Sequence, residues 1–193
     1  MSAIEIVKTF ITALQSGDFS VAADHMTDDF EMKGWTTQPI GKNEFLALQS
    51  ELNNAMPDFS YNLSNEHKSD NEVNVLIRIT GTHTQDLTLP TFGIPLIPYT
   101  GTTTDLSQVH AEFVLNDNKI REMRVEPVAG GGLNGLLQQV GNPMISKLAD
   151  KAMDPNTYSG MQWPWQSRGE APKTNIPESN SGGMDVGLSQ GGT

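Results

Sequence analysis

Apolar residues in the first third of the chain recur at helical spacing. Val7, Phe10, Ile11 and Leu14 repeat at i, i+3, i+4 and i+7, which predicts an amphipathic helix. Ser2 and Glu5 stand where a hydroxyl and a carboxylate can each satisfy the other's free backbone N–H, a capping box. Gly17 closes the helix, because glycine takes the left-handed conformation at a helix C-terminus without strain. A short second helix through Val21, Ala22 and Met26, capped by Asp18 or Ser20, ends at Thr27-Asp28-Asp29. Residues 30–35 then read as a short strand. A third helix opens at Gly41-Lys42-Asn43 and carries Phe45, Leu48, Leu52 and Met56 on one face. Pro57 stops it, having no N–H for a further turn.

From residue 59 the period changes from helix to strand. Phe59, Tyr61 and Leu63 alternate with polar neighbours, and Val73, Val75, Ile77 and Ile79 do the same, each run predicting a half-buried strand. Residues 67–72 supply the turn between them. A third long strand spans 100–115, and the Asn116-Asp117-Asn118 turn launches a fourth over 119–128. Consecutive strands joined by tight turns are antiparallel. The pattern therefore predicts an α+β fold, N-terminal helices packed on one face of an antiparallel sheet. The stretch 87–99 is apolar but holds Pro90, Pro95 and Pro98, a density that no central ladder admits. Its apolar side chains must be hidden at a pocket mouth, on a partner subunit or on the domain's own core.

Gly130-Gly131-Gly132 reads as a hinge into a short amphipathic helix with Leu133, Leu136, Leu137 and Val140. Ile145, Leu148, Ala149 and Ala152 suggest another. Periodicity then disappears into a Pro/Gly/Ser-rich stretch, expected to be disordered, apart from Trp163-Pro164-Trp165, whose two aromatics call for a docking surface. The organisation expected is one domain over 1–129, a helical extension over 130–154 and a tail over 155–193 that offers a site for a protein partner.

Composition narrows the function. The net charge of −11 disfavours phosphate backbones and anionic membranes, so neither nucleic acid nor membrane is an expected partner. The absence of cysteine removes disulfide and thiolate chemistry. The N-terminal residues carry no basic, apolar signal segment and no run is long enough to span a bilayer, so a soluble cytoplasmic protein is expected. The four histidines show no ligand spacing of the HxH or HxxxH kind, and no phosphate-binding loop or nucleophile elbow occurs. No metal and no cofactor is expected.

Four phrases in order carry a resemblance. Ala55-Met56-Pro57-Asp58 joins helix to strand, and Gly81-Thr82-His83 closes a strand. Gly93-Ile94-Pro95 precedes Thr100-Gly101, and Asp117-Asn118-Lys119-Ile120 turns into the last strand. Together they resemble the SnoaL-like, polyketide cyclase-like branch of the NTF2-like superfamily, over roughly residues 4–141. The resemblance implies a cone, a strongly curved antiparallel sheet folded round an apolar pocket, and pairing of two copies through the open sheet face. It also implies an acidic residue late in the final strand. Glu122-Met123-Arg124-Val125 aligns with that phrase, with Val125 at the acid's position. Glu126 lies one residue on, and faces the pocket only if a bulge shifts the register.

The catalytic candidates are therefore His83 and Glu126, with His110 next, because an imidazole or a desolvated carboxylate can move a proton near neutral pH. Arg78, Trp35, Phe92 and Tyr99 are the candidates for contacting substrate. Two functions fit. One is a cofactor-independent cyclase or isomerase acting by general acid/base catalysis on a small, apolar, carbonyl-bearing molecule. The other is a non-catalytic ligand-binding or protein-assembly module on the same fold.

Overall fold

The N-terminal helix forms as its caps require. In α1 (Ala3–Ser16) the Ser2 N–H donates to the Glu5 carboxylate at 2.6 Å, and the Glu5 N–H donates back to Ser2 Oγ at 3.3 Å. Gly17 caps the other end at φ +77°. A computed structural model describes residues 1–141, all within one compact unit. The expected helix near 145–152, the tail over 155–193 and its two tryptophans lie outside the described residues.

Two further helices, α2 (Phe19–Asp24) and α3 (Lys42–Ala55), complete the N-terminal layer. The main sheet takes β1 (Met26–Lys33), β2 (Ile40–Gly41), β3 (Ser64–Ser69), β4 (Glu72–Ile77), β9 (Val109–Asn116) and β10 (Lys119–Val125) in the order β2-β1-β10-β9-β4-β3. It is antiparallel except where β1 runs parallel to β10. Two small ladders stand beside it. In one, β5 (Thr80–Thr82) pairs with β8 (Thr103–Asp105), and in the other β6 (Leu87–Leu89) pairs with β7 (Ile94–Ile97). The chain re-enters as α4 (Gly132–Val140).

The sheet's inner face carries Met32, Met123, Val125, Ala111, Phe113, Val73, Val75 and Ile77, all buried. Phe10 of α1 stacks on Phe45 of α3 with centroids 6.2 Å apart and meets Phe113 edge-on at 6.3 Å; Phe30 lies 5.2 Å from Phe45. These rings join both long helices to the central strand, in the offset geometry that aromatic quadrupoles favour.

Several boundaries differ from the expected ones. Phe59 and Tyr61 are buried as the alternation predicts, but only a single bridge, Ser60 to Thr80, pairs that stretch, and Asn62 turns to φ +43°. The strand proper begins at Ser64 and runs through His67, where a turn was expected. The turn is the tighter Asp70-Asn71, with Asp70 at φ +51°. An edge strand with both faces polar shows no hydrophobic period. Thr27 to Asp29 lie within β1 rather than before it, and the ladder with β10 is irregular there. The long strand expected over 100–115 divides at Leu106–Gln108, sending β8 to β5 and β9 to the main sheet. The Asp117-Asn118 turn is as expected, both residues having positive φ, the type I′ geometry that suits strand twist.

Phe113→Ala should cost about 3–5 kcal/mol, since the ring is fully buried at the junction of both helices and the sheet. Urea unfolding of the full chain would read it; a cost under about 1 kcal/mol would mean that this ring does not join the layers.

Candidate functional site

One end of the sheet is the mouth of the cone. Lys33 of β1, Ile77 of β4, Val109 of β9 and Val125 of β10 all lie there, at strand ends that the ladder registers bring together. Beyond Ile77 the chain continues extended to residue 83. Ile77, Ile79, Gly81 and His83 are buried while Arg78, Thr80, Thr82 and Thr84 are not, so the alternation places His83 on the inner side. Gly81 packs closely, and a Cβ there would sit 3.1 Å from Met56 Sδ. Thr104 Oγ1 donates to Gly81 O at 3.0 Å and fixes the β5–β8 pair.

His83 is fully buried. Its N–H donates to Thr102 O at 2.9 Å and its C=O accepts from Gly101 N at 2.8 Å. Nδ1 lies 3.1 Å from Thr100 Oγ1. Nε2 is buried and finds no hydrogen-bond partner among the described residues. Burial lowers the imidazole pKa from its ordinary value, with Asp86 opposing the shift, so the ring is neutral at pH 7. A buried polar atom without a partner typically costs about 1–3 kcal/mol, which makes Nε2 a group that a ligand atom would relieve.

Trp35, at the end of β1, is also buried, and its C=O accepts from Leu133 N at 2.8 Å. With Ile77, Ile79, Leu106, Val109 and the Gly131-Gly132 segment it encloses a void of about 10 Å³, barely the space of one water. Only the start of α4, at Gly132, borders this void; the helix itself buries Leu133, Leu136, Leu137 and Val140. Near its far end the Gln139 side chain accepts from Asp105 N at 2.7 Å and donates to Asp105 O at 3.0 Å. Burial contributes about 1.5–3 kcal/mol for each of the four apolar side chains. Ordering the nine residues of α4 opposes this at about 1–2 kcal/mol each.

The remaining sequence candidates lie elsewhere. Arg78 points outward and forms a two-pronged ion pair with Asp105, Nε donating at 2.7 Å. His110 and Glu126 lie side by side on the outer sheet face, the His110 N–H donating to the Glu126 carboxylate at 3.2 Å. No bulge turns Glu126 inward. The irregular step in the β9–β10 ladder falls between Ile120 and Glu122, and residues 122–125 pair regularly with 114–111. Val125, where the resemblance puts the acid, faces the core and is buried. Phe92 sits half-buried in a 3-10 turn (Pro90–Phe92) within the β6–β7 hairpin, and Tyr99 is 67% exposed just beyond it. The hairpin buries Leu87, Leu89 and Ile97 on the domain's own core, while Leu96, like Tyr99, stays exposed. Of the seven candidates, His83 and Trp35 face inward and the other five do not join them.

The outer sheet face concentrates charge. Arg124 grips Glu122 through two bonds, at 2.9 and 3.0 Å, and also donates to Glu112; Lys33 Nζ donates to Glu122 at 2.6 Å. Glu112 is fully buried, and its carboxyl pKa is raised by that burial and by Glu72, with Arg124 opposing. Burial would raise Glu122 too, but the bonds from Arg124 and Lys33 prevail and its pKa is lowered. Among the described residues no group of three or more His, Asp or Glu could hold a metal ion, and no helix is long and apolar enough to cross a membrane.

Sequence reasoning missed one inward polar chain. Tyr61 OH donates to Gln49, Gln49 Nε2 donates to Asn53 Oδ1 at 2.7 Å, and Asn53 Nδ2 donates to Leu14 O at 2.6 Å. Burial raises the Tyr61 pKa strongly. Gln49 among Phe45, Leu48 and Leu52 on the apolar face of α3 was the available signal. Every member of the chain is bonded, so it reads as internal bracing.

An α+β cone of three N-terminal helices against a curved sheet, with its mouth at the strand ends, is the NTF2-like or ketosteroid isomerase-like fold. A family model described as "SnoaL-like domain" matches residues 7–123, and the chain belongs to that family. Solved structures agree on the fold. A candidate SnoaL-like polyketide cyclase from Jannaschia sp. CCS1 shares 21% identity, over 73% of this chain and 92% of that one, with a TM-score of 0.57. A candidate polyketide cyclase from Pseudomonas putida KT2440 shares 20%, over 73% and 99%, with a TM-score of 0.54. A protein of ketosteroid isomerase-like fold from Catenulispora acidiphila DSM 44928, in complex with trimethylamine, shares 11%, over 72% and 94%, with a TM-score of 0.52. No curated protein matches the chain.

Arg124→Ala strips the buried Glu112 and Glu122 of their shared cation, and should cost about 1–3 kcal/mol at pH 7. Without Arg124 the Glu112 pKa rises further, so protonation stabilises the variant as pH falls. The Glu122 contribution, present above its unfolded value of 4.5, is lost from the parent as pH falls through its lowered folded pKa. The Glu112 effect narrows the gap as pH falls from 7 to 5, and the Glu122 effect adds to it only below 4.5. Urea unfolding at pH 7 and pH 5 would read this; a gap that widens at pH 5 contradicts the assignment.

Proposed function

We propose that this SnoaL-like domain binds a small apolar molecule carrying one hydrogen-bonding group, with His83 as its polar anchor. One observation carries the reading: Nε2 of His83 is buried on the inner side of the cup strand and has no partner among the described residues. A carbonyl oxygen would accept from Nε2 in the tautomer that protonates it, and a hydroxyl would suit either tautomer. The structural neighbours described as candidate polyketide cyclases support aromatic ketones as the first class to try.

Binding without turnover is favoured over acid/base catalysis. Proton transfer along a reaction needs a group that both takes and returns the proton close to its working pH. Burial lowers the His83 pKa, which makes it a weaker base than an exposed imidazole. The late-strand carboxylates Glu112, Glu122 and Glu126 lie on the other face of the sheet, and Val125 occupies the inward position. Pairing of two copies through that outer face belongs to the same reading; Asn74 Nδ2 and Glu112 Oε2 lie on it without a partner among the described residues.

The test is calorimetric titration of the full chain with a panel of aromatic ketones and phenols, repeated on His83→Leu and His83→Gln. The expected result is affinity reduced roughly tenfold or more in the leucine variant, part of it retained in the glutamine variant, and the ligand recovered unchanged. Equal affinity in all three proteins would remove His83 from the site. Conversion of a ketone that stops in both variants would instead make this an enzyme.

A further inference from the structure

We propose that α4 is a tethered plug, which competes with the ligand for the mouth of the cup and must swing out for the ligand to reach the inner face. The ligand half of this statement rests on the binding reading above; the movement of α4 does not. The helix runs from Trp35, beside Ile77 and Ile79, to Asp105, which pairs with Thr80 three residues before His83. Its buried face is Leu133, Leu136, Leu137 and Val140. At its N-terminal end Gly131 and Gly132 close on Trp35, Ile77, Ile79, Leu106 and Val109 and leave a void of about 10 Å³ there, too small for a ligand.

The docked position is built into the chain by glycines. Gly130 and Gly132 take left-handed φ of +72° and +64°. A Cβ on Gly132 would meet Trp35 O at 2.7 Å, and one on Gly135 would meet Gly130 O at 2.0 Å. Gly130 and Gly131, which precede the helix, leave its tether with the least backbone restraint once it departs. Burial and ordering terms of the same order put such an element at the low-stability end of a fold, where local opening occurs without global unfolding.

Two variants loosen the plug by different routes. Gln139→Ala deletes both bonds to Asp105 without touching the apolar face. Gly135→Ala raises helix propensity, yet its Cβ would meet Gly130 O at 2.0 Å and displace the turn that seats the start of α4. Amide hydrogen exchange would be followed in both and in the parent, alongside titration with the environment-sensitive apolar dye ANS. In the parent, residues 133–140 should exchange roughly a hundredfold faster than Val109–Asn116. In each variant that segment should exchange about tenfold faster again. Dye affinity should rise by a similar factor, because apparent affinity scales with the fraction of open molecules. Exchange of α4 as slow as that of β9 makes it a permanent part of the core and overturns the proposal, as does fast opening with no gain in dye binding. The two proposals fail separately. If Gly135→Ala opens and takes up dye, but adding His83→Leu leaves ketone affinity unchanged, the plug stands and the His83 anchor falls.

Discussion

The pleat of one strand pair, β9 with β10, decides which ionisable groups of this chain can meet anything inside the cone. Side chains alternate between faces, so a single-residue shift in register would exchange the two sets. The register is fixed by regular pairing from Glu122 opposite Val114 to Val125 opposite Ala111. That pairing turns Met123 and Val125 into the core and Glu122, Arg124 and Glu126 out of it. The inner cup is left apolar, and chemistry in it depends on what the neighbouring strand supplies. That strand supplies His83.

The same constraint shapes the opposite face. Carboxylates turned outward from a short sheet are still partly buried, and desolvation alone would push their protons on. Arg124 resolves this for Glu122 and only partly for Glu112, which is why the two shift in opposite directions. Removing one partner from such a group is costly even where the intact pair contributes little net stability. The outer face is thus arranged round one guanidinium, and the inner face round one imidazole and a helix that closes over it.

Much of this was legible in the residues. The stripe Val7, Phe10, Ile11 and Leu14, the Ser2–Glu5 cap and the Asp117-Asn118 turn are local signals, and local physics sets them. The four phrases from Ala55 to Ile120 placed the fold because each sits on a junction where backbone geometry is restrictive. Edge strand β3 was not legible, since Ser64 to Ser69 has no apolar alternation to read. The break at Leu106–Gln108 was hidden because strand composition continues across it while the ladders change partners. The Gly81-Thr82-His83 phrase marked His83 as a candidate, but its inward side and the scattering of Arg78, His110 and Glu126 are matters of faces and distances that one dimension does not hold. The seating of α4 was invisible for a similar reason. Leu133, Leu136, Leu137 and Val140 announce an amphipathic helix, and nothing in their spacing says what they cover.

The central claim is that a neutral, water-excluded imidazole faces the cup, and its own titration tests that most directly. Side-chain nitrogen NMR of the full chain across pH 4 to 8, with His83 assigned by comparison with His83→Gln, would follow Nε2 itself. A buried imidazole gives a midpoint below the ordinary 6.5, with Nε2 shifts of a ring lacking a strong hydrogen bond. By linkage, that adds stability above 6.5 that is lost as pH falls through the lowered value. A midpoint at or above 6.5 would mean that His83 meets water or a carboxylate, and would contradict both the dry cup and its anchor.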